Sequence, residues 1–137
     1  KQASVSGAAG GCQAECGSAS SMTAAAITYL LGGSKQQIAS AAAIALKNLL
    51  GLVCDPVAGL VEVPCIKRNA IGSSNAVTAA EMALAGVESI IPVDEVIVAM
   101  KKVGDALPES LKETSQGGLA VTPTACRIKE ELLKDSL

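Results

Sequence analysis

Apolar positions recur at helical spacing through much of the chain, and glycine and proline interrupt them. Ser34 followed by Gln37 is a capping-box pattern, which predicts a helix running to about Leu50. The segment from Val93 to Leu107 carries an apolar stripe with two lysines late in it. This arrangement predicts a second amphipathic helix, because lysines are favourable near a helix C-terminus.

Weaker patterns predict three further helices. A run of small residues from about Cys12 to Leu31 ends at a glycine pair, and Asn75 to Ala85 ends before Gly86. A polar segment from Arg127 to Lys134 follows near the end of the sequence. Together these elements predict an all-α fold, a compact bundle of about five helices with two long Gly/Pro-rich loops.

The two long loops are residues 51–74 and 108–124, and the glycine-rich residues 4–11 are also predicted to form a flexible loop. A structureless segment longer than about 15 residues in a compact domain is usually functional. The first long loop contains Cys54 and Cys65, so the chemistry of the protein is expected there.

The composition suits one small domain with an unusual core. The chain has 137 residues, a net charge of −2 and 50% hydrophobic residues, and Tyr29 is its only aromatic residue. Abundant alanine lets helix backbones approach closely but buries little area per side chain. We therefore expect the domain to depend on a partner surface, a cofactor or further sequence.

Charge, hydropathy and cysteine content limit the classes of function that the sequence suggests. The chain has no basic block that would indicate nucleic-acid binding, and no apolar run of about 18 residues that would indicate a membrane span. No leader is visible, and an odd number of cysteines, five, favours cytosolic thiols used for metal binding or catalysis. The chain also lacks histidine and starts without methionine, which predicts a fragment whose catalytic base lies upstream.

The cysteine spacing indicates a possible metal site but not which metal. Cys12 and Cys16 are four residues apart, so they would share one face of a helix. Cys54 and Cys65 stand at the two ends of one loop, stiffened by a proline near each end. Spacing alone leaves open a metal role or simple burial, and does not separate zinc from an iron–sulfur cluster. Cys16 is predicted to be buried and not a ligand.

Three segments carry a resemblance to a known family. They are SVSGAAGGCQAECG at residues 4–17, CDPVAGLVEVPCIKRN at residues 54–69 and TSQGGLAV at residues 114–121. In these segments the chain closely resembles the C-terminal, cluster-binding part of the alpha chain of iron–sulfur-dependent L-serine dehydratases. The resemblance extends over nearly all of residues 4–126.

The resemblance implies that Cys12, Cys54 and Cys65 hold a [4Fe-4S] cluster with one open iron. It implies a reaction without pyridoxal phosphate, in which L-serine is converted to pyruvate and ammonia. The open iron would bind the substrate hydroxyl and make hydroxide a better leaving group, while a base removes the α-proton.

The resemblance also implies how the chain is organised. Residues 1–137 would be a single cluster-binding catalytic domain fragment that lacks the N-terminal part of the alpha domain and is inactive alone. Its partners would be L-serine, that missing part, and a beta chain or second subunit. The protein would be a cytoplasmic enzyme of amino-acid catabolism and gluconeogenesis.

Several other residues have weaker assignments. Lys67, Arg68 and Asn69 are predicted to bind the substrate carboxylate or orient the cluster, although a solvated loop fits them equally. Cys126 is a possible fourth ligand in the resting state, and the alternative is a thiol at a helix start. Asp55 and Glu62 are expected to be solvated or to cap a helix.

Two alternative functions remain open at this point. One is a hydro-lyase that uses the same cluster chemistry on another hydroxy acid. The other, from a different class, is a helical structural or interaction module whose cysteines are merely buried.

Overall fold

The computed structural model describes residues 2–135, and within them the fold is all-helical, as predicted. A π-helical turn, Gln13–Gly17, runs directly into the second helix. No β-strand forms within the described residues, where one isolated bridge joins Cys54 to Lys112. The helices are α1 (Gly7–Gly10), α2 (Ser18–Leu30), α3 (Lys35–Lys47), α4 (Cys65–Leu84), α5 (Val93–Ala106) and α6 (Pro123–Asp135).

The start of α3 confirms the capping box. The Gln37 backbone N–H donates to Ser34 Oγ at 3.2 Å, and the Ser34 backbone N–H donates to Gln37 Oε1 at 2.9 Å. Gly86 adopts a φ of 91° just beyond α4, a conformation that glycine reaches without strain. The predicted start of α3 and the predicted end of α4 therefore hold to within a few residues. The predicted helix from Val93 to Leu107 also matches α5.

Alanine forms the contact between α2, α3 and α4. Methyl groups let these backbones come close, and hydroxyls then bridge them: Ser20 Oγ donates to the Gly72 carbonyl at 2.8 Å, and Ser21 Oγ to the Ala42 carbonyl at 2.9 Å. A second cluster joins α3 to α5. The first cluster is Ala24, Ala41, Ile44, Ala45, Ala76, Ala79 and Ala83, and the second is Ala43, Leu46, Val96 and Met100.

The predicted loop at residues 51–74 is wrong in its second half. Helix α4 begins at Cys65, ten residues before the predicted start at Asn75. Residues 65–74 contain no proline, and Gly72, taken as the end of the loop, lies buried inside α4 against α2. Packing against α2 offsets the low helix propensity of Gly72.

Two other boundaries also differ from the prediction. Residues 7–10 form the short helix α1, not a flexible loop, because Gly10 packs on Gly104 of α5. Helix α6 begins at Pro123, earlier than the predicted Arg127, since proline is well suited to a first helical position. The loop before it contains two single turns of 3-10 helix, Glu109–Leu111 and Gly118–Val121.

None of the helices within residues 2–135 combines the length and hydropathy needed to cross a membrane.

Candidate metal centre

Three segments bring cysteines to one region of the fold. Cys12 precedes the π-helical turn, Cys54 lies in the irregular segment after α3, and Cys65 is the first residue of α4. Cys12, Cys16 and Cys54 pack together as a buried cluster. Cys65 lies near enough for its charge to act on Cys54 and for Cys12 to act on it. The three predicted ligands therefore lie in the same region of the fold.

Cys16 is buried as expected, and its thiol has two polar neighbours. The Cys12 thiol donates to Cys16 Sγ at 3.4 Å, and the Cys16 thiol donates to Asn69 Oδ1 at 3.3 Å. The π-helical turn contributes to this arrangement, because it changes the direction of side chains between residues 12 and 17.

Gln13 holds the segment that carries Cys12. Its side-chain Nε2 donates to the carbonyls of Gly10 and Met100, each at 3.0 Å, and its Oε1 accepts from the Gly51 N–H at 2.9 Å. Its own backbone N–H donates to the Leu52 carbonyl at 2.9 Å. Gln13 is fully buried, so these bonds fix the segment firmly. The sequence gives no signal for this role beyond a glutamine among small residues.

The closing segment of the chain holds the backbone of Cys54. The Cys54 N–H donates to the Leu111 carbonyl at 2.9 Å, and the Cys54 carbonyl accepts from the Glu113 N–H at 2.8 Å. Glu113 has a φ of 65°, a left-handed conformation that is uncommon for a residue with a side chain. These hydrogen bonds place the segment of Cys54 directly beside the residues that precede the third resembling segment, 114–121.

Asp55 is buried, so the expectation that it is solvated is wrong, although its carboxylate does accept an N–H from the first turn of the 3-10 helix Gly118–Val121. Arg68 Nη1 lies 2.7 Å from Asp55 Oδ1 and donates also to the Val53 carbonyl at 2.8 Å. The Leu119 N–H donates to Asp55 Oδ2 at 2.7 Å. A guanidinium and an amide replace the water that the buried carboxylate loses.

The other predicted site residues lie around this centre in different settings. Lys67 is exposed on the first turn of α4, while Asn69 Oδ1 accepts a hydrogen bond from the Cys16 thiol. The Arg68 guanidinium engages Asp55, and a substrate role for these three residues stays a prediction. Cys126 is exposed within the first turns of α6 and lies outside the buried cysteine cluster. Its role as a resting ligand also stays a prediction.

Burial makes the thiols weak acids. Desolvation raises the pKa of Cys12 to about 12, helped by its hydrogen bond to Cys16, and the nearby Arg68 charge opposes this. Desolvation also raises the pKa of Cys54 to about 12, with smaller contributions from Cys12 and Glu113. The pKa of Cys65 is raised by burial too. Free thiols here are protonated at neutral pH, and a bound cationic group would favour the thiolates.

Two carboxylates that the sequence pattern does not single out reach the same space. A Cβ placed on Gly7 would lie 3.1 Å from Glu15 Oε2, 3.3 Å from Cys54 Sγ and 3.5 Å from Glu113 Oε2. Gly7 is therefore the point where both carboxylates and a thiol meet. Glu113 is distant in sequence, so only the fold brings it here.

The chemistry of the three thiols fits an iron–sulfur cluster. Thiolates are soft ligands that select iron–sulfur clusters, zinc or copper(I). Within residues 2–135, no three histidine, cysteine or acidic side chains are arranged to hold one metal ion. A zinc ion needs each sulfur about 2.3 Å away, whereas a cluster binds each thiolate through a different iron and so accepts wider spacing.

Comparison with known proteins gives consistent matches. The family model described as serine dehydratase alpha chain matches residues 1–120. A probable L-serine dehydratase alpha chain of Bacillus subtilis (strain 168) is 64% identical over 135 residues, which are 98% of this chain and 45% of that protein. The corresponding protein of Latilactobacillus sakei is 62% identical over 130 residues, 95% of this chain and 62% of that protein.

A third relative is the L-serine dehydratase alpha chain of Peptoniphilus asaccharolyticus. It is 55% identical over 135 residues, which are 98% of this chain and 46% of that protein. The chain thus spans about half the length of the curated relatives it matches.

Proposed function

Because the chain belongs to the serine dehydratase alpha chain family, we propose that it forms the cofactor-binding part of an enzyme that converts L-serine to pyruvate and ammonia. The names of its relatives support the reaction. In this proposal the rest of the alpha chain, together with a beta chain or second subunit, completes the active site.

The proposed cofactor is a [4Fe-4S] cluster held by Cys12, Cys54 and Cys65. The observation that supports this proposal is that Cys12 and Cys54, from separate segments, share one buried cluster, with the partly buried Cys65 close by. When bound, the cluster supplies a Lewis-acid iron that can take the hydroxyl of the substrate.

The residues of this chain position the site and tune its charge. Gln13 fixes the segment of Cys12, and the Asp55–Arg68 pair fixes the segments of Cys54 and Cys65. Burial of Cys12 and Cys54 limits the access of water to these two ligands, while Cys65 is only partly buried. We infer that Glu15 and Glu113, which face the same space, bind the ammonium group of L-serine.

In this proposal the group that accepts the α-proton lies in the rest of the protein, because Glu15 and Glu113 are engaged with the ammonium group of the substrate. The chain has no histidine, and the carboxylate of Asp55 is occupied by Arg68 and the Leu119 amide. A general base must lie within hydrogen-bond reach of the proton it removes, and it has to be free to accept it.

The test is the iron and sulfide content of the complete enzyme, prepared without oxygen. Wild type should contain about four irons and four sulfides per site. Cys12→Ser, Cys54→Ser and Cys65→Ser should each lose the cluster and the activity, while the neighbouring Cys16→Ser, as the matched control, should keep both. Loss of iron in Cys16→Ser with retention in Cys65→Ser would show that the ligand assignment is wrong.

The same preparation separates the alternatives. A colourless protein with every thiol titratable, equally stable with and without iron, would favour a helical module with buried cysteines. A substrate panel then distinguishes L-serine from other hydroxy acids, since a cluster-containing enzyme inactive on L-serine would belong to the second alternative.

A further inference from the structure

Helix α2 carries its apolar side chains on the side that faces away from the rest of the fold. Its inner side, packed on α3 and α4, consists of small or hydroxyl-bearing residues. Its outer side, named here the α2 face, bears the larger apolar groups. The inner residues are Ser20, Ser21, Ala24 and Thr28, and the α2 face is Ala19, Met22, Thr23, Ala26, Tyr29 and Leu30.

The large apolar side chains of the α2 face are more exposed to solvent than is usual for their residue types. Met22 is 67% exposed, Tyr29 69% and Leu30 79%. Residues 16–34 contain no charged side chain at all. A helix at the surface of a globular domain normally carries charged or polar residues on its outer side, so three large apolar side chains on the outer side of an uncharged helix are unusual.

Helix α5 of the same fold shows the usual pattern. Its inner side carries Val96 and Met100, and its exposed residues include Asp94, Lys101 and Lys102. The contrast within one chain indicates that α2, unlike α5, is built to be covered on both sides.

A groove runs along each flank of α2. On the α4 side, a cavity of about 210 Å³ is lined mostly by small residues, among them Ala19, Ser20 and Gly72, and reaches Cys16 and Asn69 at one end. On the other side, a largely apolar cavity of about 280 Å³ lies between Met22, Ile97 and residues 2–5. Small residues in a groove let another backbone approach closely, so this surface is shaped to receive a packed segment.

We propose that the α2 face is the docking surface for the part of the alpha chain that its relatives possess outside the segment matched here. The matched segment is 45% of the Bacillus subtilis protein, so more than half of such an alpha chain must pack elsewhere. A covalently attached occupant acts at high effective concentration, whereas a second copy must be recruited from solution. The proposal rests on family membership and not on the cofactor.

Oxidative footprinting of the complete alpha chain tests the proposal directly. Methionine and tyrosine are suitable probes, because the segment contains three methionines and one tyrosine. Met22 and Tyr29 should be oxidised at least about tenfold more slowly than in the unfolded chain, as should buried Met100. Rapid oxidation of Met22 and Tyr29 beside a protected Met100 would overturn the proposal.

Dilution identifies the occupant. Protection by the rest of the same chain should not depend on concentration. Protection of Met22 and Tyr29 that disappears when the alpha chain is diluted would identify a second copy as the occupant and overturn the proposal.

A charge substitution gives an independent test in the same complete chain. Tyr29→Lys should lower Tm by roughly 5–10 °C, because it would place a cation in an apolar contact. The control Val98→Lys, on the charged outer side of α5, should change Tm by less than about 2 °C. An unchanged Tm in Tyr29→Lys would count against the docking surface. Neither test measures dehydratase activity, so failure here is separate from failure of the proposed function.

Discussion

The carboxylate of Asp55 and the guanidinium of Arg68 lie 2.7 Å apart, and this ion pair connects the neighbours of two proposed ligands. Asp55 directly follows Cys54, and Arg68 lies three residues after Cys65, one turn into α4. The pair therefore sets the separation between the loop and the helix that carry these thiols. Asp55 also accepts a hydrogen bond from the Leu119 N–H at 2.7 Å, which connects a third segment to the pair.

Removing the charge of Asp55 should be strongly destabilising. Asp55→Asn keeps the shape but leaves the Arg68 guanidinium without its carboxylate, and we expect a loss of roughly 3 kcal/mol in the free energy of unfolding. The control Asp105→Asn breaks the exposed Lys101–Asp105 pair and should cost about 0.5 kcal/mol or less. Urea unfolding of both variants measures the difference, and equal costs would contradict a structural role for the buried pair.

Substitution of Gln13 should lower the free energy of unfolding as much as substitution of a core residue. Gln13→Ala removes the three hydrogen bonds of a buried side chain and leaves the Gly51 amide without its side-chain acceptor, so we expect a loss of about 2–4 kcal/mol. Because the segment of Cys12 then loses its anchor, iron content should fall as well. Gln36→Ala, at an exposed position of α3, is the matched control and should leave stability and iron content unchanged. Wild-type stability in Gln13→Ala would rule out this anchoring role.

A substitution at Gly118 tests the contact between Asp55 and the segment of Leu119 by steric collision. It has a φ of 60°, and a Cβ there would collide with the carboxylate of Asp55. Gly118→Ala should therefore cost at least about 1 kcal/mol more than Gly32→Ala. Gly32 has a φ of 80° and open space around it, so its substitution carries the backbone strain alone, about 1–2 kcal/mol. Thermal unfolding of the two variants checks the ranking, and a reversed order would contradict the predicted collision.

The proposed ammonium contact predicts a change in substrate affinity. In the complete enzyme, Glu113→Gln should raise KM for L-serine about tenfold or more with a smaller change in kcat, since a charge-assisted hydrogen bond is lost. Glu15→Gln should act in the same direction. Iron content should stay at the wild-type level, and exposed Glu109→Gln should leave KM unaltered. An unchanged KM in both variants would remove these carboxylates from the substrate site.

The proposed role of Cys126 as a resting ligand predicts a change in the approach to full turnover. If its thiol fills the open iron position at rest, Cys126→Ala should shorten any lag before full turnover and make the resting cluster more sensitive to oxygen. Progress curves and the decay of cluster absorbance in air measure the two effects. With lag and oxygen lifetime both unaltered, Cys126 would have no role at the iron.

Local signals in the sequence predicted most of the helices, and packing decided the rest. The capping box at Ser34 and the stripe of α5 involve neighbouring residues, so the pattern alone locates them. The start of α4 at Cys65 depends on contacts with α2, and α1 depends on the fit of Gly10 against Gly104. Such contacts join residues far apart in sequence and leave no periodic trace.

The same distinction applies to the candidate site. The cysteines and the motif around Cys54 were visible as residue types at particular spacings. Three features of the site could not be predicted, because each depends on the tertiary position of a distant segment. They are the burial of Asp55, the hydrogen bonds of the Gln13 side chain and the position of Glu113 beside Cys54. Arg68 shows the limit clearly: its charge suggested a substrate contact, and the fold places a carboxylate beside it.

The hydrogen bonds between Cys54 and residues 111–113 have a consequence for the order of assembly in the cell. On a ribosome that adds about 5–20 residues per second, roughly 3–13 seconds separate the synthesis of Cys54 from that of Leu119. During that interval neither the backbone of Cys54 nor the second oxygen of Asp55 has its final partner. The segment of Cys54 therefore gains these hydrogen bonds only after the late segment is made, and for the proposed cluster this order predicts loading after translation of residues 111–119.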